Sequence, residues 1–585
     1  MKITFCGAAE SVTGSCHLVE TSGGTPLTFL LDCGQFQGSA AQDAQNYEPF
    51  PFDPAQVGFM LLSHAHVDHC GRIPLLVKAG FKGRIYCTEA TADLLPIMLR
   101  DSAYIHEKEA EWKNRKAQRA GKDPVPPLYT QADAEASFAF ITPVLYDQEI
   151  VPAEGMRFSF VNAGHILGAA ITEIWVSEDA GETKLVFSGD LGVDSRPLLR
   201  DPVKIRQADV LIMETTYGAR LHEKRESSLA RLVEIIDRTT KRGGTVLIPS
   251  FAVGRTQELI YELNKYFDDV GNTGVAGAKG VAGGRPSFRD CKVYVDSPMA
   301  IAATEAFRRN VRDFDEEYWA LIMEGDDPLD FANLNFTLST DESKALNSDT
   351  RPKIIISASG MCEAGRIRHH LKHRLWDPKS TVVFVGYQAE GTLGRRLVEG
   401  VKSVSLFGEE VEVKADIVSL EGFSAHADAA GLIDWVRGFD SPPDAVFLVH
   451  GEAGSKAAFA EKLRAEIGLE AIVIEECCSW VYEPGERASA GESANAYKAG
   501  GGAKGRAGKE PSVDPEDMER LLAKLRNIND NVEGLLYRAK LAAVAAADGS
   551  NTESYTALKN IIASLESDTS KLAGELAGRK TERSK

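Results

Sequence analysis

One short run limits this chain more than any other: Ser63-His64-Ala65-His66-Val67-Asp68-His69, directly after an apolar strand that ends at Leu62. Three histidines and an aspartate packed so closely would be a costly way to fill a core, because every buried polar group needs a partner. In extended chain His64 and His66 point to one side and can hold one ion. Asp68 and His69, at the start of the helix that follows, turn toward a second. Imidazole nitrogen with carboxylate oxygen suits zinc, and manganese less well.

Two ions need more ligands than this run supplies. Ala163-Gly164-His165 follows a strand ending near Val161, and Ser188-Gly189-Asp190 follows the strand 185–188. Glycine before each of them lets backbone pass close to a site. Alone, a histidine or a Gly-Asp turn would be unremarkable; each takes its meaning from the first cluster. Val449-His450-Gly451-Glu452, much later, offers a further histidine after an apolar strand.

The 585 residues are too many for one core and suggest about three or four domains. Residues 1–205 alternate short β-type runs with turns, interrupted near 101–135 by a charged stretch that reads as helix and then as loop at Pro124–Pro127. From about 208, apolar strands are each followed by a small-residue turn and a helical pattern, the mark of a mostly parallel α/β sheet. Gly271–Gly284 reads as a loop inserted there. Residues 486–512, rich in Gly, Ala and Lys, read as a flexible linker. From Asp514–Pro515, apolar residues at alternating 3 and 4 spacing (Met518, Leu521, Leu525, Ile528, Val532, Leu535, then Leu558 to Leu576) predict a helical hairpin over 513–585. It either closes on itself or pairs with a second copy.

No apolar run approaches the roughly 18 residues of a membrane span, and the start MKITFCGAAE reads as a strand, so a cytoplasmic protein without membrane partners is expected. The nine cysteines form no CxxC pair and suit reduced thiols, with Cys477 and Cys478 expected as two buried ones. A net charge of −19 argues against broad adhesion to nucleic acid, though not against a nuclease with a locally cationic cleft.

In order and spacing, His64-Ala65-His66-Val67-Asp68-His69, His165 and Asp190 resemble the metal motifs of the metallo-β-lactamase superfamily, and Leu31-Asp32-Cys33-Gly34 resembles its first motif. The resemblance implies that His64, His66 and His165 hold one zinc, Asp68 and His69 the other, that Asp190 bridges, and that Asp32 orients ligands. The fold alone fixes no reaction. Small members end soon after the Asp190 position, whereas this chain continues for about 200 residues and then shows Phe423-Ser424-Ala425-His426-Ala427-Asp428 and the His450 motif. With Met213-Glu214-Thr215, these look like the three diagnostic motifs of the β-CASP nucleases, carried by Glu214, His426 and His450. The DNA-repair branch typically has valine at the third, so His450 favours RNA. The wording is most similar to the compact bacterial endoribonucleases with an RNA specificity domain, related to the cleavage and polyadenylation endonuclease.

The implied fold is α/β: a metallo-β-lactamase αββα sandwich in two parts (1–208 and 423–485) around a β-CASP insert at 209–422, followed by the helical hairpin. The implied activity is zinc-dependent hydrolysis of RNA by a two-metal hydroxide mechanism. Asp68 and Asp190 serve at the metals, His426 gives a proton to the departing sugar oxygen, Glu214 holds the imidazole, and His450 completes the second zinc. Products carry 5′-phosphate and 3′-hydroxyl ends. Ser359 and Gly360, read as the start of a helix containing Arg366 and Arg368, and Arg255 are expected to contact RNA phosphates. His369, His370 and His373 are expected on a solvated helix face, and His17, His106 and His222 have no expected role. Other readings stay open: an exoribonuclease, an esterase of the same fold, an inactive scaffold subunit, or a DNA nuclease.

Overall fold

The computed structural model describes residues 1–9, 11–22, 26–179, 181–268, 291–389, 391–475, 477–483 and 495–496. The expected loop Gly271–Gly284, nearly all of the linker and the whole 513–585 hairpin lie outside the described residues, as does any self-association through that hairpin.

Two sheets lie face to face. The first has eight strands in the order Asn495–Ala496, Cys478–Val481, Lys2–Phe5, His17–Glu20, Thr28–Leu31, Phe59–Leu61, Arg84–Thr88, Ile141–Val144. The second has seven: Ile472–Val473, Ala445–Val449, Val210–Glu214, Gly181–Phe187, Ala170–Glu178, Met156–Asn162, Ile150–Ala153. Alternating side chains of these strands fill the space between the sheets, as the period of two requires. Phe5 meets Phe447 with ring centroids 5.2 Å apart, and Tyr86 meets Phe158 at 5.2 Å. Helices cover the outer faces, Glu89–Arg119 and Ile73–Lys78 on one side and Ala453–Ile467 on the other.

A third sheet of six strands is parallel throughout, in the order Leu334–Phe336, Lys292–Val295, Lys353–Ser357, Thr245–Pro249, Thr381–Phe384, Asp416–Ser419. Its central strands are apolar on both faces, because helices pack on both. This is the expected insert, with one correction to its start. Val210–Glu214 pairs in parallel with Ala445–Val449 and with Gly181–Phe187, so it is a strand of the sandwich and the insert opens after Glu214. The reason is its register: Glu214 lies opposite Val449, next to His450, and delivers its carboxylate to the site.

Further differences are local. The helix expected within 101–135 begins at Glu89 and runs 31 residues to Arg119, passing through Pro96. Cys478 is buried as expected, whereas Cys477 is exposed at the strand edge. Among the described residues no helix is long and apolar enough to cross a membrane.

Candidate metal centre

Strand ends bring the site together. Phe59–Leu61 runs into Leu62, Ser63 and His64, and the turn at His66 opens a short helix, Val67–Cys70, that carries Asp68 and His69. Gly34 must be glycine for this turn to pass: a Cβ there would lie 1.6 Å from the Asp68 carbonyl oxygen. His165 follows Gly164, whose backbone φ of +67° lies in the left-handed region that L side chains avoid. Asp190 follows the strand Gly181–Phe187, and His450 follows Ala445–Val449. His450 and Asp32 themselves hold left-handed φ values of 49° and 61°, strain of the sort that collects at functional sites.

The side chains converge into two groups. His64 Nε2 and His165 Nε2 each lie 3.2 Å from His66 Nδ1, and both lie 3.5 Å from Asp190 Oδ2. His69 Nε2 lies 3.2 Å from His450 Nε2 and 3.3 Å from Asp190 Oδ2, while Asp68 Oδ2 is 3.5 Å from His450 Nε2. Ligand atoms about 2.0–2.2 Å from a tetrahedral zinc stand roughly 3.3–3.5 Å from each other, which is the spacing found here. Both Asp190 oxygens are buried without a hydrogen-bond partner among the described residues, a state a shared cation would relieve. The residues present therefore fit two ions, with Asp190 common to both.

Outer partners set the rings. Asp32 is buried and its Oδ2 lies 2.7 Å from His69 Nδ1, while it accepts hydrogen bonds from Ser15 and Ser63 hydroxyls and the Ser63 amide. Ser63 Oγ lies 3.0 Å from His64 Nδ1, the Ala425 carbonyl 3.4 Å from His165 Nδ1, and Thr216 Oγ1 3.2 Å from His450 Nδ1. Each contact turns Nε2 of its ring inward. Burial drives His64 and His165 well below the ordinary imidazole value, and His66 down to about 4, so these rings are neutral and their lone pairs available. Burial opposes charge on His69 too, but Asp190, Asp32 and Asp68 outweigh it and raise the ring well above its usual value. For Asp190, burial is outweighed by His450, His69 and His426, and the carboxyl is held well below the usual range.

Beside the ligands lies a dyad. Glu214 Oε1 is 3.1 Å from His426 Nδ1 and also accepts the Leu191 amide at 2.7 Å. Burial would make His426 neutral, but Glu214 and Asp190 outweigh it and hold its pKa at about 9. The ring packs 4.4 Å from that of His165. His222, given no expected role, places Nε2 3.0 Å from the His426 carbonyl and backs this loop.

The insert reaches the centre through Phe251, whose ring lies 6.3 Å from that of His66 and is 40% exposed. Ser359 and Gly360 stand on the adjoining strand end, Gly360 accepting from Gln388 Nε2 at 3.1 Å. Contrary to the expectation they do not open a helix: it starts at Ile367, because Cys362 and Gly365 take left-handed φ values and keep 358–366 in a turn. Arg366 donates to Asp296 and to the Thr337 and Leu338 carbonyls, a structural use. Arg255 is corrected as a phosphate contact. Its guanidinium is buried and pairs with Glu258, which also binds Arg196 and Arg225. His370 is corrected as well, being buried with Nε2 2.6 Å from Asp296 Oδ2.

From the sequence the turn 249–255 points to Arg255 and not to Phe251, and Arg196 is missed. Arg196 Nη1 donates to the His165 carbonyl at 3.0 Å, and no local pattern marks it. Phe251 had a signal, an aromatic in a small-residue turn after a strand.

A layered sandwich with strand-end histidines and aspartates gathered into a pair of ligand sets defines a metallo-hydrolase of the metallo-β-lactamase class. Comparison with known families agrees along the chain. Residues 11–240 match the metallo-beta-lactamase superfamily, 256–397 the Beta-Casp domain, and 410–474 the Zn-dependent metallo-hydrolase RNA specificity domain. The chain belongs to the β-CASP family of that superfamily. It is 37% identical over 463 residues to Ribonuclease TTHA0252 of Thermus thermophilus, covering 79% of this chain and 96% of that one. It is 33% identical to an RNase J-like protein of Methanocaldococcus jannaschii (78% and 94% covered), and 30% identical to Transcription termination factor FttA of the same organism (79% and 69% covered).

Proposed function

We propose that this chain is a zinc-dependent endoribonuclease. The observation that carries the reading is that seven ligand side chains and the Glu214–His426 pair converge on one cleft faced by the insert. A scaffold subunit would have no need of the full set, and an esterase would have no need of the insert with its dyad. The relatives named as ribonucleases and the His450 ligand support RNA over DNA.

His64, His66, His165 and Asp190 would hold one zinc, and Asp68, His69, His450 and Asp190 the other, with manganese as the alternative metal. When bound, the ions supply Lewis acidity at the phosphate and lower the pKa of the attacking water. Glu214 accepts a hydrogen bond from Nδ1–H of His426 and fixes the ring, leaving Nε2–H to deliver a proton to the departing 3′-oxygen. A 5′-phosphate and a 3′-hydroxyl result. Phe251, Ser359 and Gly360 border the cleft where a strand would lie.

The test is cleavage of one RNA labelled at each end in turn, beside its circular form, by wild type and His426→Ala. Internal cuts in the circle, lost in His426→Ala with zinc retained, are expected. Mononucleotide release from linear RNA with the circle untouched would replace the reading with an exonuclease. No cleavage by zinc-loaded wild type would overturn it.

A further inference from the structure

The long helix Glu89–Arg119 is held to the body mainly by its first half. Leu94, Leu95, Leu99 and Ala103 are buried, and after Ala103 the helix buries only Ala110. The free half nevertheless carries Tyr104, 51% exposed, and Trp112, 56% exposed. Exposed aromatic rings on a cationic surface are platforms on which the bases of a single strand can stack. At four-residue spacing, Tyr104, Lys108, Trp112 and Lys116 share one side of the helix. The Lys108 ammonium stands 5.7 Å from the Tyr104 ring centroid, and that of Lys116 3.5 Å from Trp112.

Charge points to the kind of partner. Residues 104–122 hold six lysines and arginines against three glutamates, on a chain of net charge −19. Lys108, Lys113 and Arg115 are paired with Glu111 and Glu109. Lys116, Arg119 and Lys122 have no carboxylate at ion-pair distance among the described residues. Alternating rings and amines along a locally cationic edge suit a flexible polyanion whose bases alternate with phosphates.

On its opposite face the same stretch of helix packs beside the turn that carries the proposed metal ligands. Ser102 Oγ donates to Gln35 Oε1 at 3.4 Å and His106 Nε2 lies 3.2 Å from the same oxygen, while the Gln35 amide donates to the Val67 carbonyl, between His66 and Asp68. From Tyr104 to Lys116 the helix then runs outward by about 18 Å. We infer that this face is a track for single-stranded RNA, with bases stacked on Tyr104 and Trp112 and phosphates neutralised by Lys116 and by Lys108, which exchanges Glu111 for phosphate. The inference rests on the ribonuclease reading and deepens it by giving the strand a path outside the cleft.

The test uses the full chain with Tyr104→Ala and Trp112→Ala combined, both at exposed positions, and separately Lys108→Gln with Lys116→Gln. Binding of an unstructured labelled RNA, longer than the roughly 4–16 nucleotides one groove covers, is followed by fluorescence anisotropy in the His426→Ala background. The aromatic pair should weaken binding about 5- to 100-fold for each stack lost. The lysine pair should flatten the slope of log affinity against log salt by about 1.4. With His426 intact, hydrolysis of bis(p-nitrophenyl) phosphate should be unchanged while KM for the long RNA rises. Unchanged RNA affinity in an enzyme that still cleaves RNA would overturn the track and spare the ribonuclease reading. Stripe-dependent binding with no RNA cleavage by wild type would overturn the ribonuclease reading alone. A changed sedimentation coefficient of the protein by itself, with RNA affinity unaltered, would make the stripe a protein contact and overturn the track.

Discussion

Arg196 donates to Glu258 at 2.6 Å and, through its other terminal nitrogen, to the carbonyl of His165 at 3.0 Å, so a carboxylate of the insert is tied through one guanidinium to the backbone of a proposed metal ligand. Glu258 is the shared anion for Arg196, Arg225 and Arg255. Burial opposes its charge, yet these three cations hold its carboxyl far below the usual range. Removing one member of a buried ionic set leaves the others uncompensated, at a cost of about 3–5 kcal/mol. We predict that Glu258→Ala lowers stability by that order in urea unfolding and also lowers zinc content. A loss under about 1 kcal/mol with full zinc would contradict the role given to Arg196.

The Glu214–His426 pair makes a kinetic prediction. His426→Ala should cut kcat by about 100- to 10,000-fold, and Glu214→Gln by less, with bound zinc unchanged in both. Parallel loss of metal, read by elemental analysis, would mean that these residues build the site instead of acting in the reaction.

Asp32 touches no ion in the proposed arrangement; the one ligand ring it meets is that of His69, and it otherwise accepts from Ser15 and Ser63. Asp32→Asn should weaken the ion held by Asp68, His69 and His450 by about 10- to 100-fold. The ion held by His64, His66 and His165 should keep its affinity in a chelator competition. Equal weakening of both would show that Asp32 supports the whole turn.

At Gly34 the prediction is steric. Because an added Cβ would meet the Asp68 carbonyl oxygen at 1.6 Å, Gly34→Ala must displace the turn that presents Asp68 and His69. Zinc stoichiometry should fall while far-ultraviolet circular dichroism stays close to wild type. Full zinc occupancy would refute the claim that this approach fixes the ligands.

In the insert, Asp296 gives a pH signature. Burial raises its pKa, but hydrogen bonds from His370, Ser343 and Arg366 outweigh it and leave the carboxyl below its ordinary value. A depressed folded pKa stabilises the fold above the unfolded value of about 3.9, and the benefit disappears as pH falls through the folded one. Asp296→Asn should therefore be less stable than wild type at neutral pH, with the gap narrowing below about pH 4 in urea titrations. A gap independent of pH would remove Asp296 ionisation from the account.

What could be read from the chain followed from how local each signal is. His64, His66, Asp68 and His69 declare themselves because strand alternation and one helical turn already separate them into two sets. His165, Asp190 and His450 were legible only as strand-end residues beside that cluster and through likeness to a family. Arg255 was misread since a cation after a small-residue turn suggests phosphate, although Glu258, three residues on, was there to neutralise it. His370 reads as a surface residue because Asp296, its partner, stands just past the end of a strand 74 residues earlier. Tyr104 and Trp112 were visible only as part of a charged helical stretch. Their exposure depends on where the first half of that helix is anchored.

Asp68 and His450 stand 3.5 Å apart in space and on opposite sides of the whole insert in the sequence. During synthesis the first ligand set is on hand once Asp190 has left the ribosome, but the second is not complete until the polypeptide has passed His450. A chain that stops short of His450 therefore lacks one member of the second proposed ligand set, and with it the strand Ala445–Val449 that pairs beside Glu214.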